Sequence, residues 1–169
     1  MAMTPGARQD FLWQLRFIAD HAIVAARLQR DRCRACPPGL DPRHDLDFYV
    51  LAVDRLVSCA NKAATNCGVA AASATKVRFE EAVPGLRDWR NQYGYPDRPG
   101  SHGWVTYGEA IMRLLPDGGV EYLVDPRHEH HEAAERLYAE LADILGPLPE
   151  VGPETIRLTK DRVSVTWRS

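Results

Sequence analysis

Three pairs of a capping residue followed by proline constrain the fold of this chain more than any other feature. The pairs are Thr4-Pro5, Asp41-Pro42 and Asp125-Pro126. A Thr or Asp side chain accepts a hydrogen bond from the free N–H groups at a helix start, and proline suits the first helical position, which needs no N–H donor. The sequence therefore predicts helix starts at three places in a chain of 169 residues.

Apolar spacing predicts how far these helices extend. They are expected at about Pro5–Arg30, Pro42–Cys67 and Pro126–Leu145, the last ended by Gly146 and Pro147. The first two would form an antiparallel hairpin. The predicted core faces are Phe11, Leu15, Ile18, Ala22, Ala25 and Leu28 on the first helix; Leu46, Tyr49, Val50, Val53, Leu56, Val57 and Ala60 on the second; and Ala133, Ala134, Leu137, Leu141, Ile144 and Leu145 on the last.

A further helical stretch is predicted between the second and the last of these helices. It begins near Ser73 or Thr75 and ends before Gly94, and Pro84-Gly85 should kink it or divide it in two. Its apolar positions are Val77, Phe79, Val83, Leu86 and Trp89. With this stretch, the helical core is expected to span about residues 5–93.

Two hairpins are predicted in the C-terminal part of the chain. Pro116-Asp117-Gly118-Gly119 has the residues of a tight turn, which would pair Ala110–Leu115 with Val120–Val124 in a hairpin over about residues 103–124. Apolar and polar residues alternate on both sides of residues 159–162, which predicts a second hairpin over about 155–168. The predicted fold class is α+β: one domain over residues 1–169, mostly up-and-down helices, with a helix over about 126–145 and a small antiparallel sheet of two hairpins.

Composition and charge argue against several classes of protein. The formal net charge is −2, which disfavours a surface that binds nucleic acid over its whole area. The N-terminal segment lacks the pattern of a secretion signal, and polar residues interrupt its first apolar stretch, so we expect a cytoplasmic protein without a membrane partner. The sequence contains neither a Gly-rich phosphate loop nor a Gly-x-Ser-x-Gly motif.

The four cysteines form only part of a metal-binding pattern. Cys33 and Cys36 have the C-x-x-C spacing, but seven residues separate Cys59 from Cys67, so the second half of a zinc site is missing. Cys59 and Cys67 lie among Ala and Val in a helical pattern, where a free cysteine behaves as a small buried hydrophobe. We expect no cofactor, and metal binding by Cys33 and Cys36 stays open.

The segment from Val83 to Tyr95 points most directly to a ligand. Arg87, Arg90 and Asn91 crowd one helical stretch just before a Gly/Pro-rich break. Guanidinium groups bind phosphate bidentately and Tyr95 could stack on a base, so these four residues are the predicted site for a phosphate-containing ligand or RNA. In the structural alternative, the arginines pair with nearby carboxylates and close the helix end. Those carboxylates are Asp88, Glu80 and Glu81.

A second candidate site lies at the start of the last helix. His128, His131 and Glu132 are helical neighbours that could bind a divalent metal, with His102 as a further ligand if the fold brings it near. The spacing is less specific than His-Glu-x-x-His. The alternative is a solvated first turn whose acidic residues interact with the helix dipole. These residues are weak metal candidates, and no metal site is favoured.

A third candidate is a run of arginines near one end of the first helical hairpin. They could contact RNA or an acidic partner. Neighbouring aspartates reduce the net positive charge of this stretch. We therefore favour a solvated surface over a binding site for RNA or an acidic partner. The arginines are Arg27, Arg30, Arg32, Arg34 and Arg43.

The arrangement resembles the HEPN superfamily, whose small helical domains carry an Arg, a polar residue and, a few positions later, a His near the end of a late helix. Arg90 and Asn91 match the first two positions, and Tyr95 stands where the family has its histidine. The stretch Phe79–Asp88, followed by a hairpin and an Ala-rich last helix, is similar to a group of small actinobacterial proteins with HEPN-like architecture. This likeness covers about residues 10–145.

The resemblance implies a homodimer in a bacterial toxin–antitoxin or phage-defence setting and, in active members, metal-independent RNA cleavage across the dimer. Such cleavage needs an acid and a base with a pKa near neutral, which tyrosine, at about 10, does not provide. We therefore expect a binding or regulatory module, with RNA, a nucleotide or a partner protein as its partner, rather than an enzyme. The alternatives are a ribonuclease that uses another base such as His102, and a structural dimer without a small-molecule ligand.

Overall fold

A computed structural model describes residues 3–35, 43–84, 86 and 129–149 of the chain. For residues 43, 44 and 129 it gives the backbone alone, and the same holds for five short strands. All contacts below belong to these residues.

Four helices form the described part of the protein. They are α1 (Pro5–Ala35), α2 (Arg43–Cys67), α3 (Ala70–Ala82) and α4 (Glu129–Leu145). Helix α1 runs five residues beyond its predicted end, and α3 begins three residues before Ser73, the earlier of its two predicted starts. No helix of the described part is long and apolar enough to cross a membrane.

Local sequence signals set several of the helix ends. The Oγ1 atom of Thr4 accepts a hydrogen bond from the N–H of Ala7 at 3.3 Å, which confirms the predicted cap of α1. Gly68 and Gly146 adopt the left-handed conformation, with φ of 66° and 76°, and end α2 and α4. Helix α3 ends at Ala82, two residues before Pro84, as expected of a residue that cannot continue the helical hydrogen bonding.

The hydrophobic core lies between the helices. All seven predicted core residues of α2 are buried, and on α4 five of the six are, with Ile144 partly buried against the core. On α3, Phe79 is buried but Val77 is 47% exposed. Val83 and Leu86, which follow α3, are also buried.

The predicted core face of α1 is partly wrong. Ile18 and Leu28 are exposed, and the buried positions are Leu12, Leu15, Ala19, Ala22, Ile23, Ala26 and Cys33. The residues that face α2 and α4 set the buried stripe of α1, and they lie about one residue from the predicted positions.

Five short strands are described by their backbone. Strands β1 (Trp104–Tyr107), β2 (Ala110–Leu114) and β3 (Val120–Val124) form one antiparallel sheet in that order. Strands β4 (Ile156–Thr159) and β5 (Arg162–Val165) form a separate antiparallel pair.

The predicted α+β class is wrong, because the protein has a helical fold. Where side chains are described, the regular elements are helices and no strand is present. Every residue of the described hydrophobic core lies on a helix or at positions 83 and 86. Turn residues such as Pro116–Gly119 predict which neighbouring segments pair locally, but fold class depends on which elements share the core. Here the described core belongs to a bundle of helices.

Candidate functional site

The four predicted ligand-binding residues lie outside the described part of the chain. They are Arg87, Arg90, Asn91 and Tyr95. The described residues that precede them, Val83, Pro84 and Leu86, line a cleft between α2 and α3. This cleft is the candidate functional site.

The α2–α3 cleft has a volume of about 440 Å³. Helix α2 contributes Asp54, Ser58 and Asn61, which are spaced four and three residues apart and therefore share one helix face. Helix α3 contributes Lys76 and Glu80 in the same way. The apolar part of the lining is Val57, Phe79, Val83, Pro84 and Leu86. Half of the lining residues are polar, so the cleft is more polar than the usual small-molecule site, which is mostly apolar with a few polar groups.

The described lining of the cleft has more negative than positive side chains. The Nζ atom of Lys76 lies 2.8 Å from Oε2 of Glu80, so the only ammonium group of the described lining is already paired with a carboxylate. Asp54 adds a second carboxylate. The described lining therefore carries a net negative charge, which disfavours a phosphate inside the cleft and suits hydroxyl and amino groups that donate hydrogen bonds.

The predicted ligand-binding segment follows the cleft-lining residues directly in the sequence. Leu86 lines the cleft, and its peptide bond leads directly to Arg87. In the structural alternative, Arg87 or Arg90 pairs with Glu80. Such an arginine would have to compete with Lys76, which already forms an ion pair with Glu80.

The metal candidates are not arranged as ligands. His131 is buried with 4% of its surface exposed, whereas the side chain of Glu132 is 70% exposed and lies 3.7 Å from Arg136. Adjacent helical residues point about 100° apart, so these two do not face one site. Among the described residues, no group of three or more His, Cys, Asp or Glu side chains could hold a metal ion. His128 and His102 fall outside them.

His131 belongs instead to a polar cluster in the core. Its Nδ1 atom lies 3.3 Å from the hydroxyl of Tyr49, and its Nε2 atom lies 3.2 Å from Oε1 of Glu135. Glu135 in turn accepts two hydrogen bonds from Arg27, both at 2.7 Å. The contact between Nε2 and Glu135 has an ion-pair distance but lacks hydrogen-bond geometry, so we treat it as electrostatic. The cluster ties α1, α2 and α4 together.

Burial and charge shift the pKa values in this cluster. Burial, followed by the nearby Arg30 guanidinium, lowers the pKa of His131 below its ordinary value. Hydrogen bonding from Arg27 lowers the pKa of Glu135. Near neutral pH, His131 is therefore a neutral core residue. Its spacing from Ala134, Leu137 and Leu141 already indicated the core face of α4.

Three of the five arginines in the basic stretch form ion pairs. Arg27 pairs with Glu135, Arg30 with Asp31 at 2.9 Å, and Arg32 with Asp45 at 3.7 Å. This arrangement supports the solvated surface that the sequence favoured. The side chain of Arg43 is outside the described residues.

The described cysteines are buried and take part in no disulfide bond. Cys33, Cys59 and Cys67 form no disulfide, and Cys36 is not among the described residues. Burial raises the pKa of the Cys59 thiol to about 11, so it is neither a thiolate nor a metal ligand at neutral pH. The prediction that Cys59 and Cys67 act as small buried hydrophobes is confirmed.

Comparison with known proteins adds no relative. No family model, no curated protein and no solved structure matches the chain.

Proposed function

We propose that this protein is a small binding module for a phosphate-containing ligand such as a nucleotide or RNA. The ligand would lie in the α2–α3 cleft and extend onto the segment that carries Arg87, Arg90, Asn91 and Tyr95. The observation that carries the proposal is the cleft itself, whose described lining has five polar side chains. One lining residue, Leu86, directly precedes that segment in the sequence.

Charge determines which part of the ligand would bind to the cleft and which part to the arginine segment. The cleft has a net negative described lining, whereas Arg87 and Arg90 are cations with planar donors suited to phosphate. The uncharged end of the ligand, such as a base and its sugar, would therefore use the cleft, where Ser58 and Asn61 can exchange hydrogen bonds with it. A volume of about 440 Å³ lies within the usual range for small-molecule sites, roughly 300–1,000 Å³.

Incubation with labelled RNA tests this proposal. The purified protein, an Arg90→Ala variant and an Asn61→Ala variant are each titrated with a short single-stranded RNA, with and without EDTA. We expect intact RNA in every lane and binding weakened at least about tenfold by either variant, the cost of one lost charged or well-placed polar contact.

Two matched variants are the controls. Arg136→Ala removes an exposed arginine of α4, and Asn66→Ala removes an asparagine of α2 that does not line the cleft. Both should bind like the wild type. Absence of binding by the wild type would contradict the proposal, and Arg90-dependent cleavage that persists in EDTA would favour the ribonuclease instead.

We also propose that the module is a homodimer. The support is the number of large apolar side chains that are exposed on α1 and α2, among them Phe17, Val24 and Phe48. The HEPN resemblance, the cytoplasmic location and the toxin–antitoxin or defence setting remain predictions from the sequence.

A further inference from the structure

The α2–α3 cleft lies between two helices that run in opposite directions. Helices α2 and α3 are joined by a connection of two residues, Gly68 and Val69, and both helices contribute to the lining of the cleft. Two helices with so short a connection form an antiparallel hairpin. Because each helix rises by about 1.5 Å per residue, positions that are equally far from the connection lie level with each other.

This register places the polar lining residues in order along the cleft. Asn61 is the seventh residue before the connection and Lys76 is the seventh after it, so the two lie level at the end of the cleft nearest the connection. Asp54 and Val83 are each 14 residues from the connection and lie level at the other end. Asp54 and Asn61 are therefore about 10 Å apart along the axis of α2, with Ser58 between them.

The predicted phosphate-binding segment follows the Asp54 end of the cleft. The N–H of Leu86 donates to the carbonyl of Val83 at 3.3 Å, which keeps Leu86 at this end, and the next residue is Arg87. Under the proposed function, the phosphate lies on the segment that begins with Arg87. In a 5′-nucleotide the ribose lies between the phosphate and the base. A ligand that enters from this end therefore brings its ribose to Asp54 and its base toward Asn61.

The carboxylate of Asp54 suits a ribose by its chemistry. A carboxylate only accepts hydrogen bonds, and the 2′- and 3′-hydroxyls of a ribose can both donate them. Its two oxygens offer about four acceptor positions, so it can accept from both hydroxyls even when it also contacts another side chain. Its negative charge repels a phosphate, which favours the uncharged sugar at this position. The other carboxylate of the lining, Glu80, is already paired with Lys76 at 2.8 Å.

We propose that Asp54 makes the cleft selective for ribonucleotides over deoxyribonucleotides by accepting hydrogen bonds from the 2′- and 3′-hydroxyls of the ligand. The same selectivity favours RNA over DNA, because the 2′-hydroxyl is the group that distinguishes them. This inference rests on the proposed function and specifies the sugar that the same site takes.

Calorimetric titration with adenosine 5′-monophosphate and with 2′-deoxyadenosine 5′-monophosphate tests the inference, because the two compounds differ by one oxygen atom. The wild type should bind the ribonucleotide at least about tenfold more tightly. Asp54→Ala should remove most of this preference, because it removes the acceptor. Asp54→Asn should retain part of it, because the amide keeps one carbonyl acceptor without the charge.

The matched control is Asp143→Ala, which removes an exposed aspartate of α4 outside the cleft. This variant should keep the preference of the wild type. Circular dichroism confirms that each variant is folded, so that a change in the preference reports on the ligand contact.

The possible failures are distinguishable from one another. Equal binding of the two nucleotides by the wild type, or a full preference in Asp54→Ala, would overturn the inference and leave the cleft as a nucleotide site. If Asp54→Ala weakened both nucleotides by the same factor, Asp54 would support the structure of the site rather than select the sugar, and the inference would again be wrong. A wild type that binds neither nucleotide would overturn the proposed function together with this inference.

Discussion

The Nδ1 atom of His131 on α4 lies 3.3 Å from the hydroxyl of Tyr49 on α2, and both side chains are buried. In the tautomer with its hydrogen on Nε2, the imidazole accepts a hydrogen bond from the tyrosine, and its Nε2 atom lies 3.2 Å from Oε1 of Glu135 without hydrogen-bond geometry. A polar contact inside an apolar core is sensitive to protonation and to the loss of either partner. It therefore gives direct tests of the packing.

Acidification is expected to destabilise the protein through His131. Its pKa in the folded protein is lower than the ordinary value of 6.5, so the unfolded chain binds more protons in the window below that value. The contribution of neutral His131 to the free energy of unfolding is complete above about pH 6.5. It is lost as the pH falls toward the lowered pKa of His131 in the folded protein. Urea unfolding at pH 7.5 and pH 5.5 should show the loss. His131→Asn should reduce this pH dependence, and an unchanged dependence in that variant would contradict the assignment.

Tyr49 is expected to contribute more through packing than through its hydroxyl. Tyr49→Phe removes the hydroxyl, which contacts His131, and should cost about 1 kcal/mol of the free energy of unfolding. Tyr49→Ala also empties a fully buried site and should cost about 3–5 kcal/mol. Denaturant unfolding of both variants measures the difference. Equal losses would mean that the hydroxyl dominates and that this description of the core is wrong.

Arg16 is expected to stabilise the end of α4. Its Nη1 atom donates to the carbonyls of Ala142 and Gly146 at 2.8 and 3.1 Å, and its Nε atom donates to Asp20 at 2.7 Å. The Ala142 carbonyl also accepts the N–H of Gly146 at 3.1 Å, and a cation at the C-terminal end of a helix interacts favourably with its last carbonyls and with the helix dipole. Arg16→Ala should lower the free energy of unfolding by about 1–3 kcal/mol. In the same thermal or urea unfolding assay, the control Arg136→Ala, an exposed position on α4, should change it by less than about 0.5 kcal/mol.

Gly68 is expected to be required for its backbone conformation rather than for space. A Cβ atom at this position would meet nothing within 4 Å, but the φ of 66° is unfavourable for other residues. Gly68→Ala should therefore cost about 1–2 kcal/mol. Gly6→Ala is the matched control, because it is equally open but lies in the first turn of α1, where alanine should be neutral or stabilise by up to about 1 kcal/mol. Thermal unfolding that ranked the two variants the other way would contradict this explanation.

The sequence predicted the buried residues of α2 and α4 better than those of α1. The apolar series of α2 identified its buried residues, and the cap at Thr4 and the glycine at position 146 marked real helix ends. On α1, Ile18 and Leu28 have the spacing of a core stripe but are exposed, because the stripe that faces the other helices lies about one residue away, at positions such as Ala19 and Ala26. The α+β class failed for a related reason: turn residues report local pairing, whereas the core is a property of the whole chain.

The candidate site was predictable only in part. The sequence drew attention to the segment beginning at Val83, and Val83 does line the cleft. It did not indicate that Asp54, Ser58 and Asn61 would face the same space, because their polar spacing on α2 is that of an ordinary solvated face. His131 was a weak metal candidate because its neighbours in sequence are polar, whereas its neighbours in space are Tyr49 and the core.

The most direct test of the proposed function is calorimetric titration with adenosine 5′-monophosphate and with adenosine, which differ only by the phosphate. Asn61→Ala should weaken the binding of both compounds by a similar factor, roughly tenfold, because the cleft holds the shared nucleoside. Arg90→Ala should weaken the monophosphate at least tenfold and leave adenosine unchanged. If the wild type binds neither compound, or if Asn61→Ala binds both as tightly as the wild type does, the α2–α3 cleft is not a nucleotide site and the central claim is wrong.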